Sequence, residues 1–397
     1  MKFWLKNLAI VVFCGEMGNL AWASPSVCLK PFGQSTIASS QYAGHGADYA
    51  GMDHTAGTIV FSAERFSLNA HMPDLIPVDH SYHLWRVNAD GSGLRRLTHG
   101  RDVDDGLPSW SPDGKSILFG SRRQNRIAVC VINDCGGHVR RIYAGPWDEM
   151  DQLAWSRDGR MVALVVHHSP LDVAVYLLYV PMVGRAVKRW KIADSAYFAW
   201  SPDSKRLYLG FEDGSGRIFD VATGNSVKVA MPIWGAVWLD NDTIFGTVPE
   251  APDHPVDLVR SIDARGGLKW ERTLTPSLEI QSEVPILWDE RWYHVVNDTN
   301  HLFLQYHTRF ANGGSYNIFR VTLPSMKAEL FQEESRWCGC SADGAYVAAA
   351  QWYWVEHHRG IVIEDARVGS IYVTSICTGK LRAITWPLAD VESGDWR

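Results

Sequence analysis

Histidines and carboxylates are the residues whose types and spacing could do chemistry in this sequence. His167-His168 and His357-His358 are adjacent pairs, and His71, His80 and His83 lie close together. Imidazole and carboxylate groups ligate divalent cations such as calcium, manganese or zinc, and imidazole accepts protons near neutral pH. Neither pair stands in an H-E-x-x-H arrangement, so a metal would draw its ligands from separate segments. Neighbours on an extended strand point to opposite sides, so at most one His of each pair would serve as a ligand. The sequence has no G-x-S-x-G nucleophile elbow, no Walker-type phosphate loop and no G-x-G-x-x-G after a strand. Those absences leave serine peptidase and nucleotide chemistry without support, and no Ser–His–Asp set singles itself out.

The segments that carry these residues repeat. PSWSPDGKSILFGS (Pro108 to Ser121), LAWSRDGRMVALVV (Leu153 to Val166) and FAWSPDSKRLYLGF (Phe198 to Phe211) share one pattern, and Trp110, Trp155 and Trp200 are spaced by 45 residues. Weaker copies begin at Ala50, Ala236, Trp292 and Cys338. Each reads as a hairpin: two apolar, β-rich runs around a tight turn in which Gly takes positive φ. A second pair of strands follows each hairpin, as in YHLWRVNADGSGLRRLTHG from Tyr82 to Gly100. Four strands per period of about 40 to 50 residues predict an all-β propeller of four-stranded blades. Counting hairpins favours seven blades over six or eight. The propeller is expected over 50–397, with DVESGDWR (Asp390 to Arg397) closing the ring as an inner strand. The Trp of each repeat is expected to pack between neighbouring blades.

LWRVNADGSGLRRLT followed by PSWSPDGKSILFGS resembles the TolB-like, WD-repeat-like propeller repeat, over about 300 residues by the hairpin count. The resemblance implies the propeller fold and an extracytoplasmic binding role. TolB carries a separate α/β domain ahead of its propeller, whereas here residues 24–49, a linker or edge strand, precede the first hairpin. The similarity is therefore to the propeller portion alone, and it transfers no functional residue.

Blade topology sorts the candidate residues between faces. With strands a to d from the axis outward, the Trp-Ser turn joins a to b on one face, while b–c loops and d–a junctions emerge on the other. The first and last b–c loops, about Glu64 to Ser81 and about Trp352 to Val368, are the long ones. Long loops on a rigid scaffold are where binding resides. Ten of the fifteen histidines fall on this face. The binding face is read as His80, His83, Asp104, Asp105, Glu149, Asp151, His167, His168, Asp194, His254, His307, Glu334, His357 and His358. Like carboxylates around a concave mouth focus negative potential, which favours a divalent cation, an amine or a basic peptide.

Composition sets the outer limits. Net charge is −6, against nucleic acid as a partner. Residues 1–23 read as a signal peptide: Lys2 and Lys6, a short apolar stretch, then Ala21-Trp22-Ala23. That stretch is too short to span a bilayer, and no later segment qualifies as transmembrane. A periplasmic or secreted destination follows. Six of the seven cysteines would remain after cleavage, and Cys130 with Cys135, in one hairpin, is the most local disulfide candidate. Three functions fit: capture of a protein or peptide, a metal-dependent uronate lyase or hydrolase, and a structural subunit of a surface complex. Some metal-dependent polysaccharide lyases are propellers with similar repeats.

Overall fold

The computed structural model describes residues 28–30, 57–64, 81–124, 126–169, 172–180, 188–195, 197–211, 213–248, 258–274, 288–295, 301–310, 313–359, 362–385 and 391–397. The described residues form seven antiparallel sheets and no helix. Six of them are blades built in chain order. Blade II runs through Val103–Trp110, Ser116–Arg123, Arg126–Asn133 and Arg140–Gly145, and blade III through Glu149–Trp155, Met161–Ser169, Asp172–Tyr179 and Lys188–Ala193. Blades IV, V and VI begin with Tyr197–Trp200, Trp234–Trp238 and Trp288–Val295 as inner strands. Blade VII comprises Ser335–Cys340, Tyr346–Arg359, Val362–Ser375 and Leu381–Ala383.

Blade I is assembled from both ends of the chain. Its inner strand is Val391–Trp396, paired to Thr58–Ala63, which continues to His83–Asn88 and Arg95–Arg96. The expected closure by the C-terminal segment is what the structure shows. Thr58 and Arg397 exchange both backbone hydrogen bonds, and the Asp395 carboxylate accepts from the Trp110 backbone N–H of blade II at 2.7 Å. Closure removes the two open sheet edges that an unclosed array would present.

The core lies between blades. Along Ser116–Arg123, Ile117 and Phe119 pack on blade I, while Leu118 packs towards blade III. Both faces of such a strand are buried, so its sequence reads as a nearly unbroken apolar run. Seven clusters of buried side chains fill the seven seams around the ring. Full burial of a Phe or Leu side chain stabilises by roughly 1.5–3 kcal/mol, so each seam is a large term. Trp110, Trp155, Trp200 and Trp238 pack into four successive seams, as the repeat predicts.

The remainder of the motif builds the a–b turn. The Ser111 hydroxyl donates to the Asp113 carboxylate at 2.7 Å and accepts from the Ser116 N–H at 3.0 Å. The same arrangement recurs at Ser156 and Asp158, Ser201 and Asp203, and Ser341 and Asp343. The conserved-looking Ser-x-Asp spacing is thus a turn lock, not a catalytic pair.

The stretch 352–368 is not the loop that the sequence reading placed there. Tyr346–Arg359 and Val362–Ser375 pair continuously from Tyr346↔Ser375 to Arg359↔Val362. The inner strand stops opposite Gln351, and the outer strand pairs only from Tyr372 onward. A ribbon of these two strands, joined at Trp354 to Glu356 by the short strand Cys28–Lys30, therefore rises past the blade on the b–c side, about 25 Å at roughly 3.3 Å per residue. Its alternating aromatic and β-branched residues satisfy strand propensity, which explains the difference.

Candidate functional site

Blade III brings the largest share of the expected residues together. His167 lies near the end of its b strand, where register sets it opposite Glu149 on the a strand. The a strand has one extra residue here, opposite Val165 and Val166, and the offset lets Asp151 reach the same imidazole. His167 Nε2 and Asp151 Oδ2 are 2.5 Å apart, with Asp151 about half exposed. On the next residue, His168 Nε2 lies 2.9 Å from the Tyr176 hydroxyl, and that ring packs on the buried indole of Trp147. The two histidines thus go to opposite sides of the strand, as adjacency requires. Asp194 follows on the next junction and pairs with Lys191 at 2.5 Å.

Blade II contributes Asp104 to the surface and Asp105 to the interior. Asp105 is fully buried, which corrects its placement on the binding face. The Ser121 hydroxyl donates to its Oδ1 at 2.6 Å, the Arg123 guanidinium lies 3.5 Å from Oδ2, and its backbone carbonyl accepts from Ser62 at 2.7 Å. Burial raises its pKa, against the Ser121 and Thr98 hydrogen bonds and the Arg123 charge. Asp105 therefore ties blade II to blade I. His83 is likewise fully buried, paired with Ala63 at the start of its strand, and is unavailable to a partner. Glu334 sits on the blade VI to VII junction with φ of 47°, its N–H donating to the Asn317 side chain at 3.1 Å.

His80 and His254 lie outside the described residues. His307 is on the second strand of blade VI, opposite Glu290 and Tyr316, and His357 and His358 are in the blade VII ribbon, opposite Glu364 and Ile363. The disulfide expectation is corrected. Cys130 and Cys135 are both free thiols, Cys130 being buried in the seam with blade I and Cys135 exposed in the turn beyond the strand. Burial pushes the Cys130 thiol up to about 11.

The chemistry available to this constellation is limited. A carboxylate-oriented imidazole needs a nucleophile or a metal to act on. Among the described residues no Ser, Thr or Cys is hydrogen-bonded to the His167 ring, and they contain no group of three or more metal-ligating side chains. What the face offers is exposed carboxylate at Asp104, Glu149, Asp151 and Asp194. Sequence reasoning overlooked the next junction, where Met231 and Trp234 are exposed hydrophobics. The available signal was negative: VAMPIW (Val229 to Trp234) carries no charge where the other described junctions carry Asp or Glu.

No family model matches the chain. An uncharacterized protein of Agrobacterium fabrum is 34% identical over 64 residues, which is 16% of this chain and 22% of that protein. Among solved structures, a Lactobacillus plantarum protein superposes with a TM-score of 0.54 at 12% identity, covering 86% of this chain and 99% of that one. A putative 6-phosphogluconolactonase from Bacteroides uniformis gives 0.51 at 12%, covering 85% and 99%. TolB from Acinetobacter baumannii gives 0.45 at 15%, covering 86% of this chain and 66% of its own length. The chain thus spans about a fifth of the curated relative it matches and about two thirds of that TolB. Likeness at these identities carries the fold alone: the chain is a seven-bladed β-propeller.

Proposed function

We propose that the chain is an exported propeller that captures a protein or peptide on the face built from its d–a junctions and b–c turns. The observation that carries this reading is the run of exposed carboxylates on successive junctions, Asp104, then Glu149 and Asp151, then Asp194, on one side of the disc. The blade VII ribbon rises past the same side and enlarges the surface available to a partner. Rigid strands holding polar groups at fixed separations suit recognition, since little ordering entropy is lost on binding. Lys2, Lys6 and the Ala21-Trp22-Ala23 site support export.

Capture on the immobilised full chain, compared with a Glu149→Gln, Asp151→Asn, Asp194→Asn variant, tests the reading. A partner retained by the parent and lost by the variant supports it. Equal retention by both sinks the assignment of the face. A fusion of residues 1–30 to a reporter active only outside the cytoplasm tests export, and an inactive fusion overturns it.

A further inference from the structure

We infer that the junction between blades IV and V is the anchor of this face, a platform for an arginine or lysine side chain of the partner. The inference rests on the protein-binding reading and names the chemistry that the face selects.

The junction is built rigidly. Ile233 is fully buried; its carbonyl accepts from the hydroxyls of Tyr197 and Tyr208, the latter at 2.8 Å, and its N–H donates to Tyr208 at 3.0 Å. The Pro232 carbonyl accepts from Arg260 at 2.9 Å. Gly235 follows with φ of 58°, a conformation that turns the backbone sharply at little strain for Gly. So held, Trp234 stays 37% exposed, with its ring against Tyr197 at a centroid distance of 5.7 Å. Ala230 and Met231 beside it are also exposed. A fixed, exposed indole with one side backed is the residue type that most often anchors an interface.

Charge decides what the anchor takes. An indole face attracts cations through its quadrupole. The preceding junctions carry Asp104, Glu149, Asp151 and Asp194, of which Asp194 is offset by Lys191 and Asp151 meets His167. Arg260, which donates to the Pro232 carbonyl, is almost fully buried and paired with Glu271, so it does not oppose an incoming charge; the exposed Lys228 lies on the outer strand ahead of the junction. Exposed carboxylates on the preceding junctions disfavour an acidic partner. A purely apolar partner would leave the carboxylates desolvated without compensation. Arg and Lys satisfy both features: an aliphatic stem to lie on Met231 and Ala230, and a cation to meet the indole and the carboxylates. Arg is preferred because its planar guanidinium stacks.

The test uses the full chain with fluorescently labelled hexa-arginine, hexalysine and hexaglutamate, read by anisotropy at two salt concentrations. Hexa-arginine is expected to bind more tightly than hexalysine, and hexaglutamate not to bind. Trp234→Ala should weaken hexa-arginine by about 2- to 30-fold, as for a cation–π contact, with Trp234→Phe weakened less. Unchanged melting temperatures for both variants exclude misfolding as the cause. Equal binding of hexa-arginine to parent and Trp234→Ala overturns the inference, as does hexaglutamate binding as well as hexa-arginine. Random-peptide display separates the two levels. Enriched peptides that need the carboxylates of the face but carry no Arg or Lys overturn the anchor and leave the binding reading standing. No enrichment together with no hexa-arginine binding removes both.

Discussion

Replacing His294 by Phe should remove a defined part of the protein's acid sensitivity. His294 lies on the inner strand of blade VI and stacks on Trp337 of blade VII, with centroids 4.5 Å apart and planes 6° from parallel. Its Nε2 is buried with no hydrogen-bond partner. Burial pulls its pKa down to about 3. An unfolded histidine titrates near 6.5. Between those values the unfolded chain binds more protons than the folded one, so stability is full above pH 6.5 and is lost as pH falls. At pH 5 the loss from this group is at most about 2 kcal/mol. With roughly 2.1 cal/mol/K per residue of unfolding entropy, a chain of this size would melt about 2 °C lower on that account. Phe keeps the stack and has nothing to protonate. Melting curves at pH 7.5, 6 and 5 should show the parent losing stability more steeply than His294→Phe, the gap widening with acidity. Asp105 acts in the opposite direction: its raised pKa contributes stability at low pH that is lost as pH rises through the folded value. Asp105 is present in both proteins, so its effect cancels in the comparison. Parallel pH curves would refute the reasoning.

The thiols give a second check. Cys135 is exposed and Cys130 buried, so a thiol reagent should label Cys135 in the folded protein and reach Cys130 only on unfolding. A Cys130–Cys135 crosslink found by mass spectrometry would contradict the two free thiols. Gly114 tests ring closure: its φ is +61°, and a Cβ there would stand 1.1 Å from an Arg397 guanidinium nitrogen. Gly114→Ala should cost about 1–2 kcal/mol in urea unfolding, and adding Arg397→Ala should recover only the steric share, leaving about 1 kcal/mol of left-handed backbone strain.

The propeller was legible because its signals are local. Ser111 and Asp113 lock their own turn, and the same four-residue logic returns at Ser156, Ser201 and Ser341, so a short pattern announces each blade. The closing strand was legible for a related reason, since DVESGDW has the character of an inner strand with no blade of its own. Features set by distant pairing were not. The blade VII ribbon depends on register between strands, with His357 opposite Glu364, and its polar residues imitate a loop. Asp105 and His83 read as face residues in the sequence, but they are buried by contact between blades I and II, which sequence spacing does not encode.

Trp234 and Trp238 show how one strand can supply both scaffold and site. They are four residues apart, so strict alternation would send them to the same side of blade V. Trp238 is buried in the seam with blade IV, its Nε1 donating to the Ala199 carbonyl at 3.0 Å, whereas Trp234, whose ring also meets blade IV at Tyr197, stays exposed at the end of the seam. A bulge lies between them: Trp234 pairs with Thr247 and Val237 with Phe245, three steps on the inner strand against two on its neighbour. Equivalent irregularities occur on the inner strands of blades II, III and VII, after Gly106, at Asp151 and after Trp337. In blade III the offset brings Asp151 to His167, and in blade V it separates the exposed Trp234 from the buried Trp238. A bulge breaks the alternation that would otherwise commit every second side chain to a seam. The inner-strand bulge is thus a step at which a repeat built for packing turns a side chain such as Asp151 away from strict alternation, and on the proposed binding reading residues at bulges are where specificity should reside.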